Sequence, residues 1–508
     1  MSSLIAAPAH NRQFHQTGKL NVANGGESSR QNVATRPEPN RERAWQCKYR
    51  LQSVYLNETQ RSIVDARLNI VVYESDEAAH FIDMKPITGA RPVMAFGTAA
   101  VTADAAPYPV LRQAESSRIR SADLSLSLHC DLAAVEDRWR RFERVADCTA
   151  FQSFDWLSAW QRHIGRRAGT VPVIAVGAFA DGETAFILPL AVETRLAARR
   201  LCWLGQDLCD YTAPLLAPDF ARRVGPDRFR AAWRELRRRM QRDPRMRHDW
   251  IALEKMPDNV GAQINPFTYL GASANASGAH FTKLGGDWEK FYFEKRSSAT
   301  RRHDRAKRRH LSEYGEICFI NSAGADDAHR MVETLMVQKS RSFARKGIAD
   351  VFARPGCKEF LLDLASNAQS GDFIHISRVE IGPIWAAVNF GIVFGDTYYH
   401  FAASYDDSDL AHYGPGALHL RELMAYAIGL GLQRFDFTIG DEPYKLEWAD
   451  SHVKLWNFNA AVTWRGWLPT VWLKAQCRLK RLIKQSPWAW QLVCRVRSTI
   501  GSWWTPPQ

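Results

Sequence analysis

The chain has 508 residues, of which 46% are hydrophobic, so it is long enough to bury a large core and to form about two to four domains. Its formal charge of +13 favours acidic partners such as phosphorylated cofactors, nucleic acid or anionic lipid. Nine scattered cysteines without a C-x-x-C pair favour buried thiols in a reducing cytoplasm over disulfides or a zinc site.

Residues 1–120 are predicted to be disordered or linker, because they are rich in polar residues, Pro and Gly and poor in large apolar ones. The sequence contains no run of ~18 apolar residues, so we expect a cytoplasmic protein without a membrane span. Peripheral contact with a membrane stays open.

Two halves show the same order of elements. Residues 121–275 contain a strand, two helices, a β-hairpin around Gly182, a helix and a strand. Residues 276–465 contain a hairpin around Gly382, a helix and a strand in the same order. The order predicts one duplicated unit, followed by a tail at 466–508.

The most informative stretch is His412 to Ala449. The turn Tyr413-Gly414-Pro415-Gly416 precedes a helix with apolar residues at i, i+3, i+4, i+7 spacing, and a strand and the loop Gly440-Asp441-Glu442-Pro443 follow. Backbone N–H groups at such a helix start suit a phosphate or a developing oxyanion. A tight turn without a ligand is the alternative.

Familiar catalytic motifs are absent from the sequence. There is no Walker A, G-x-G-x-x-G, H-E-x-x-H or G-x-S-x-G pattern, which disfavours the common NTPases, dehydrogenases, metalloproteases and esterases. His412 and His419 flank the glycine turn without ligand spacing, so no metal is predicted.

Two basic segments have open interpretations. Residues 296–310 hold seven Arg or Lys, and helical spacing aligns Arg301, Arg305, Arg308 and Arg309 to meet phosphates or simply to face solvent. Residues 466–508 interleave Trp with Lys and Arg, which suits an anionic membrane surface, or packing of the Trp residues on the second half.

The element order resembles the GNAT acyltransferase superfamily, and more specifically the CelD-type acetyltransferases of cellulose and exopolysaccharide biosynthesis, relatives of the FemABX transferases. The matching segments are Phe151 to Leu157, Arg296 to Leu311 with Tyr314-Gly315, Gly414-Pro415-Gly416, Phe435-Asp436-Phe437 and Asp441 to Lys445. Ala411 replaces the usual Gln or Arg, and Pro415 supplies no N–H, so the phosphate-binding pattern is incomplete.

The resemblance implies an α/β (α+β) fold with tandem duplicated GNAT-like domains and mixed central sheets. It implies acetyl-CoA as the donor, held by the second copy, and no metal. The implied donor-binding residues are Tyr413, Gly414, Gly416 and Ala417.

The implied reaction is direct attack of an N or O nucleophile on the thioester. The base candidates are Asp436 and Asp441 or Glu442, Tyr444 is the candidate acid, and Glu442 and Lys445 are candidates for acceptor binding. Structural roles for the same residues are the alternative.

Three hypotheses follow from these observations. The first is an acetyltransferase acting on a sugar or an envelope or exopolysaccharide precursor. The second is a Fem-like transferase that uses aminoacyl-tRNA, for which segment 296–310 would bind tRNA; DNA is not an expected partner. The third is a non-catalytic, membrane-associated scaffold of polysaccharide biosynthesis.

Overall fold

The structure is a computed structural model that describes residues 124–195, 197–366, 373–486 and 488. The predicted disorder of residues 1–120 and the end of the predicted tail, 489–508, lie outside the described residues. No helix in the described part of the chain is long and apolar enough to cross a membrane.

The first half supplies most of a mixed sheet with helices packed on it. Its strands lie in the order β1-β2-β3-β4-β6-β17-β9, with β5 beside β3 and a separate ribbon of β7 and β8. Its elements are β1 (Leu124–His129), α1 (Glu136–Glu143), α2 (Phe154–Trp160), β2 (Val171–Phe179), β3 (Thr184–Arg195), β4 (Ala198–Trp203), β5 (Leu215–Leu216), α3 (Phe220–Arg223), α4 (Gly225–Arg242), β6 (Trp250–Pro257), β7 (Asn259–Val260), β8 (Gln263–Ile264) and β9 (Ser273–Ala274).

The second half supplies a similar mixed sheet, in the order β11-β12-β13-β14-β15-β10-β16. Its elements are β10 (Ala279–Lys283), α5 (Trp288–Lys295), α6 (Ser298–Ser312), β11 (Ile317–Asn321), α7 (Ala325–Arg345), α8 (Cys357–Ala365), β12 (Ile374–Ile381), β13 (Ile384–Phe394), β14 (Thr397–Tyr405), α9 (Pro415–Gly429), β15 (Arg434–Ile439), α10 (Pro443–Trp448), β16 (Ser451–Val453), β17 (Leu455–Ala461) and, after the sheet, α11 (Trp464–Gln485).

The two sheets share one connectivity, which confirms the predicted tandem fold. In each, an antiparallel run of four strands ends beside a parallel partner, β4 with β6 and β14 with β15. The hairpin turns contain Gly182 at φ 87° and Gly382 at φ 55°, a left-handed conformation that glycine adopts without strain.

The halves exchange one strand each. β10 follows the first half in sequence but pairs with β15, whereas β17 follows the second half but pairs with β6. With the predicted division between residues 275 and 276, β10 lies in the domain to whose sheet it belongs, whereas β17 of the predicted domain 276–465 lies in the other sheet. The exchange ties both halves into a single unit.

An aromatic segment also joins the halves. Ser153 caps α2 by accepting a hydrogen bond from the Trp156 N–H, and the Trp156 ring lies edge-on to Phe401 of β14 at 5.0 Å between centroids. Phe151 contacts Tyr399 in the same way at 5.8 Å. Aromatic pairs of this geometry add to the free energy of area burial, so the motif from Phe151 to Leu157 holds the halves together.

Candidate functional site

The start of α9 leaves backbone donors outside the helix. Gly414 adopts φ 65° and accepts the first intrahelical bond, from the Leu418 N–H, so the amides of Gly416 and Ala417 make no bond within the helix. The first turn of α9 carries no acidic residue. This end of the helix therefore favours an anion through its amides and its dipole.

The basic helix α6 lies beside this helix start. His310 near its end stacks on Tyr413 at 5.1 Å between ring centroids, and Arg308 pairs with Glu422 of α9 at 2.8 Å. Tyr413, a residue predicted to bind the acyl donor, therefore forms the contact between the turn before α9 and helix α6. Segment 296–310 and the glycine turn, which the sequence left separate, form one surface.

The arginines of α6 divide into structural and exposed ones. Arg301 donates to the carbonyl oxygens of Phe293 and Arg296, and its guanidinium covers the Phe293 ring, so it holds the turn between α5 and α6. No ion pair with another described residue is formed by three exposed members of the helix, Arg302, Arg305 and Arg309. Arg301 and Arg308 are therefore engaged within the protein. The arginines of α6 that stay available to phosphates are Arg302, Arg305 and Arg309.

The parallel strands of each half diverge soon after they pair. β14 and β15 pair at only three positions, ending at Tyr399 and Asp436, while both strands continue further. The chain then opens into a wedge at whose edge α9 begins. Beyond Tyr399 and Asp436, the main-chain groups of β14 and β15 are therefore not paired with each other.

The corresponding wedge of the first half is filled. The Gln206 side-chain oxygen accepts from the N–H groups of Trp203 on β4 and Glu254 on β6, and its amide nitrogen donates to the Glu254 carboxylate at 3.0 Å. In addition, Asp227 lies in the first turn of α4 and already supplies negative charge to that helix start. Among the described residues of the second half, no side chain bridges β14 and β15 in this manner.

Charged and polar side chains from both halves meet where β15 ends. We call this set the polar cluster. Asp210 and Lys255 come from the first half, and most of its members lie on α7, β14, β15 and α10 of the second half: Lys339, His400, Thr438, Glu442, Tyr444 and Lys445.

Two predicted residues of the cluster pair with each other. Lys445 Nζ lies 2.9 Å from Glu442 Oε2, at angles outside those of a hydrogen bond, and donates to the Ile439 carbonyl at 2.7 Å. Both side chains are 4% exposed. The pairing follows from their positions, with Glu442 at the N-cap of α10 and Lys445 three residues later, and it directs the Lys445 charge inward rather than toward solvent.

Asp436, a predicted base, is fully buried and hydrogen-bonded on both oxygens. It accepts from the Tyr211 hydroxyl at 2.7 Å and from the Thr438 N–H at 2.8 Å, and it pairs with Arg434 at 2.7 Å. Tyr211 belongs to the first half, so Asp436 connects the two halves. Asp441, the other predicted base, is exposed and accepts a hydrogen bond from the Gly278 N–H.

Tyr444, the predicted acid, is half-buried with its ring edge-on to Phe437 at 6.5 Å. Burial, and then the negative charges of Glu442 and Asp210, raise the pKa of Tyr444 well above its ordinary value. The hydroxyl therefore keeps its proton at neutral pH.

Asp210 and Lys339 have pKa values on either side of neutrality. Burial raises the pKa of Asp210 to about 6, against the opposing effects of Lys255, Lys445 and a hydrogen bond from the Thr438 hydroxyl. Burial, and then the charges of Lys346 and Lys445, lower the pKa of Lys339 to about 8. Groups with such values accept or release a proton near physiological pH.

The sequence did not identify Asp210 or Lys339 as site residues. Asp210 lies in the loop after β4, and its relation to the second half depends on how the halves pack. The one signal in the sequence is the polar run from Gln206 to Thr212 between apolar strands, which marks a loop but no partner.

The tail begins with an amphipathic helix on the first half. Thr470 and Gly466 of α11 face the sheet and are buried, whereas Trp464, Trp467 and Trp472 are 82%, 62% and 57% exposed. Packing of these tryptophans on the second half was one predicted arrangement, and it is wrong for the described ones. Basic residues Arg465, Lys474, Arg478 and Arg481 border the exposed face.

Residues 298–446 match the family described as acetyltransferase (GNAT) domain. No curated protein sequence matches the chain. The matched segment runs from α6 to the first turn of α10 and includes the start of α9 and the wedge.

Solved structures with similarity include FemX, at 10% identity and a TM-score of 0.46, covering 66% of this chain and 97% of that one. A tandem GNAT protein from the clavulanic acid biosynthesis pathway gives 10% identity and a TM-score of 0.37, covering 67% and 100%. A conserved protein of unknown function from Bacteroides thetaiotaomicron gives 12% and 0.42, covering 66% and 100%. TM-scores below 0.5 do not establish a class of protein. The acyltransferase class is supported by the family match and by the sheet topology. The protein is an acyltransferase with a GNAT domain in its second half.

Proposed function

We propose that the protein transfers an acyl group from an acyl-CoA, most simply acetyl-CoA, to an amine or hydroxyl of a sugar or of an envelope or exopolysaccharide precursor. The observation that carries the donor assignment is the difference between the halves. One wedge is filled by Gln206 and has an acid at its helix start, and the other has neither feature among the described residues.

The donor would lie with its pyrophosphate at the start of α9. The amides of Gly416 and Ala417 would donate to the phosphate oxygens, and the neighbouring α6 supplies positive charge. Because Pro415 has no N–H and Ala411 is apolar, this site has fewer hydrogen-bond donors than the superfamily pattern. The positive charge of α6 would therefore supply more of the attraction for the phosphates.

The acceptor would attack the thioester at the polar cluster. The nucleophile X–H forms a bond to the carbonyl carbon and loses its proton, and the bond from carbon to sulfur breaks to release the thiol. Asp210 is the best base, because its pKa of about 6 keeps it ionised at pH 7.5 yet basic enough to take the proton. Tyr444 would protonate the leaving thiolate, and Asp436 would hold the strand in place.

An aminoacyl-tRNA donor is the second candidate, favoured by the three exposed arginines of α6. It predicts affinity for tRNA that falls steeply with salt and falls further when Arg302, Arg305 and Arg309 are replaced by Glu. The same replacements should weaken acyl-CoA binding less steeply than tRNA binding, because the amides at the start of α9 would still hold the pyrophosphate.

We also propose that α11 lies on an anionic membrane surface. Its exposed tryptophans and bordering basic residues are the combination that suits the interface of such a membrane. This location, on the cytoplasmic side, would present the enzyme to a lipid-linked saccharide. If the protein binds membranes but neither donor, the scaffold hypothesis would stand instead.

The test is a transfer assay with two donors in parallel. Purified protein is incubated with radiolabelled acetyl-CoA or aminoacyl-tRNA and with a panel of amino sugars, oligosaccharides and lipid-linked saccharides. Free CoA is measured by mass spectrometry, because the partly exposed cysteines Cys130, Cys148, Cys318 and Cys477 would interfere with thiol reagents. Saccharide-dependent release of CoA supports the proposal, and transfer only from tRNA supports the second candidate.

The matched controls use two glycines of α9. In Gly416→Val the new Cβ would lie 3.3 Å from Tyr405 and the branched side chain would cover the amides, so transfer is expected to fall at least about tenfold. Gly429→Ala, at a position where an added Cβ meets nothing within 4 Å, should leave transfer unchanged. Equal loss in both variants would point to helix stability rather than donor binding.

A further inference from the structure

Two histidines and an aspartate converge beside the polar cluster without being part of it. His280 of β10 lies directly opposite His452 of β16 in the antiparallel register, and their ring centroids are 5.0 Å apart. Asp441, in the loop after β15, places Oδ1 3.5 Å from His280 Nε2. One ligand atom from each of the three lies within 4.8 Å of the other two.

The His280 imidazole carries an independent sign of a missing ligand. The residue is 3% exposed, and its Nε2 has no hydrogen-bond partner in the described structure. Asp441 Oδ1 approaches to 3.5 Å but does not form a hydrogen bond with this nitrogen. A buried polar nitrogen in this state is unfavourable unless another group satisfies it.

The distances suit a tetrahedral ion. Zn²⁺ binds imidazole nitrogen and carboxylate oxygen at about 2.0–2.2 Å, so two ligand atoms of a tetrahedral site are about 3.3 Å apart. The distance from His280 Nε2 to Asp441 Oδ1 is close to that value. The three ligand atoms are up to 4.8 Å apart, and because Asp441 and His452 are exposed, small side-chain rotations would bring them to tetrahedral spacing with one coordination position left to water.

Gly278 makes room for one of the ligands. A Cβ at this position would lie 1.9 Å from His452 Nε2, so only glycine lets the imidazole reach its place. The Gly278 N–H also donates to Asp441 Oδ1 at 3.4 Å, which orients the carboxylate. The strand that the halves exchange, β10, and the residue just before it thus position all three side chains.

We propose that His280, Asp441 and His452 bind a divalent transition-metal ion, for which Zn²⁺ is the best match. Two imidazoles and one carboxylate are a ligand set that Zn²⁺ favours and that Mg²⁺ and Ca²⁺ do not. The ion would tie β10 and β16 to the loop that begins α10 and contains Glu442. The ion would therefore restrict the motion of this loop, which borders the polar cluster.

The experiment is a Co²⁺ titration of the full chain after chelation and removal of any purification tag. Co²⁺ in a tetrahedral nitrogen and oxygen site gives visible absorption bands, so we expect one equivalent to produce them and one equivalent of Zn²⁺ to abolish them. Zinc should also raise the melting temperature. His452→Gln and Gly278→Ala should each weaken binding by at least about tenfold, the second without removing any ligand.

The matched control is His412→Gln, which removes another exposed histidine that belongs to no such cluster. It should bind Co²⁺ as the unaltered chain does. Melting of each apo-protein shows that the variants fold. Absence of the visible bands, or equal affinity in the unaltered chain and both site variants, would overturn the proposal and leave the three side chains as a polar contact only.

Discussion

Replacing Asp210 by Asn should make the protein more stable and less active. The carboxyl is 3% exposed, and its pKa is raised from 3.8 to about 6. An acid with a raised pKa binds its proton more tightly in the folded state, so the free energy of unfolding falls as pH rises from about 4, where the unfolded carboxyl ionises, to about 6, where the folded carboxyl ionises. Asn is neutral at every pH and avoids this loss.

The pKa difference of about 2 corresponds to about 3 kcal/mol at 1.36 kcal/mol per unit. The gain in the variant should grow as pH rises from 4 to 6 and stay constant above about 7. From the two pKa values we expect a difference of about 0.5 kcal/mol at pH 4 and about 3 kcal/mol at pH 8. Urea unfolding at both pH values measures it.

The same variant should lose about 10²- to 10⁴-fold in turnover if Asp210 is the general base. Asp137→Asn, at an exposed position, is the control and should change stability by less than about 0.5 kcal/mol. The reasoning is refuted if Asp210→Asn is as stable as the unaltered chain at pH 8, or if it is more stable but fully active.

Three further predictions concern the joints and surfaces of the molecule. Tyr211→Phe removes the hydroxyl that donates to buried Asp436 and should cost about 1.5–3 kcal/mol in urea unfolding; no change would contradict the proposed link between the halves. Gln206→Ala removes the bridge across the first wedge and should cost about 1–3 kcal/mol without changing the number of donor molecules bound, measured by unfolding and titration. The double variant Trp467→Ser, Trp472→Ser should weaken sedimentation with anionic vesicles by at least about tenfold, and equal sedimentation would exclude α11 as the contact.

Local patterns predicted the fold well because they depend on neighbours in sequence. The hairpins around Gly182 and Gly382 and the helix after Gly414 all form near the predicted positions. The repeated order of elements predicted the tandem architecture, since duplicated units keep their connectivity. The exchange of β10 and β17 had no local signal, because either half could pair with either strand.

The candidate site was predicted less completely, because it is built between the halves. The stretch from Asp441 to Lys445 does reach the polar cluster, but the inward pairing of Lys445 with Glu442 depends on the helical turn they share. Asp210 comes from the other half, and no spacing connects it to α10. His280 and His452 become neighbours only through the exchanged strand.

Asp436 illustrates how a sequence motif misleads about role. An acid between two phenylalanines at the end of a strand suits a catalytic base, yet the alternation that buries the phenylalanines does not say what the acid contacts. Its partners Tyr211 and Arg434 occupy both oxygens. A structural role therefore explains its position, and a catalytic role stays a prediction.

Calorimetric titration of the full chain with acetyl-CoA tests the central claim most directly. The difference between the filled wedge at Gln206 and the helix start at Gly416 predicts one molecule bound per chain, with binding lost in Gly416→Val and kept in Gly429→Ala. Two molecules per chain, or binding that Gly416→Val leaves intact, would contradict the assignment of the donor to the second half.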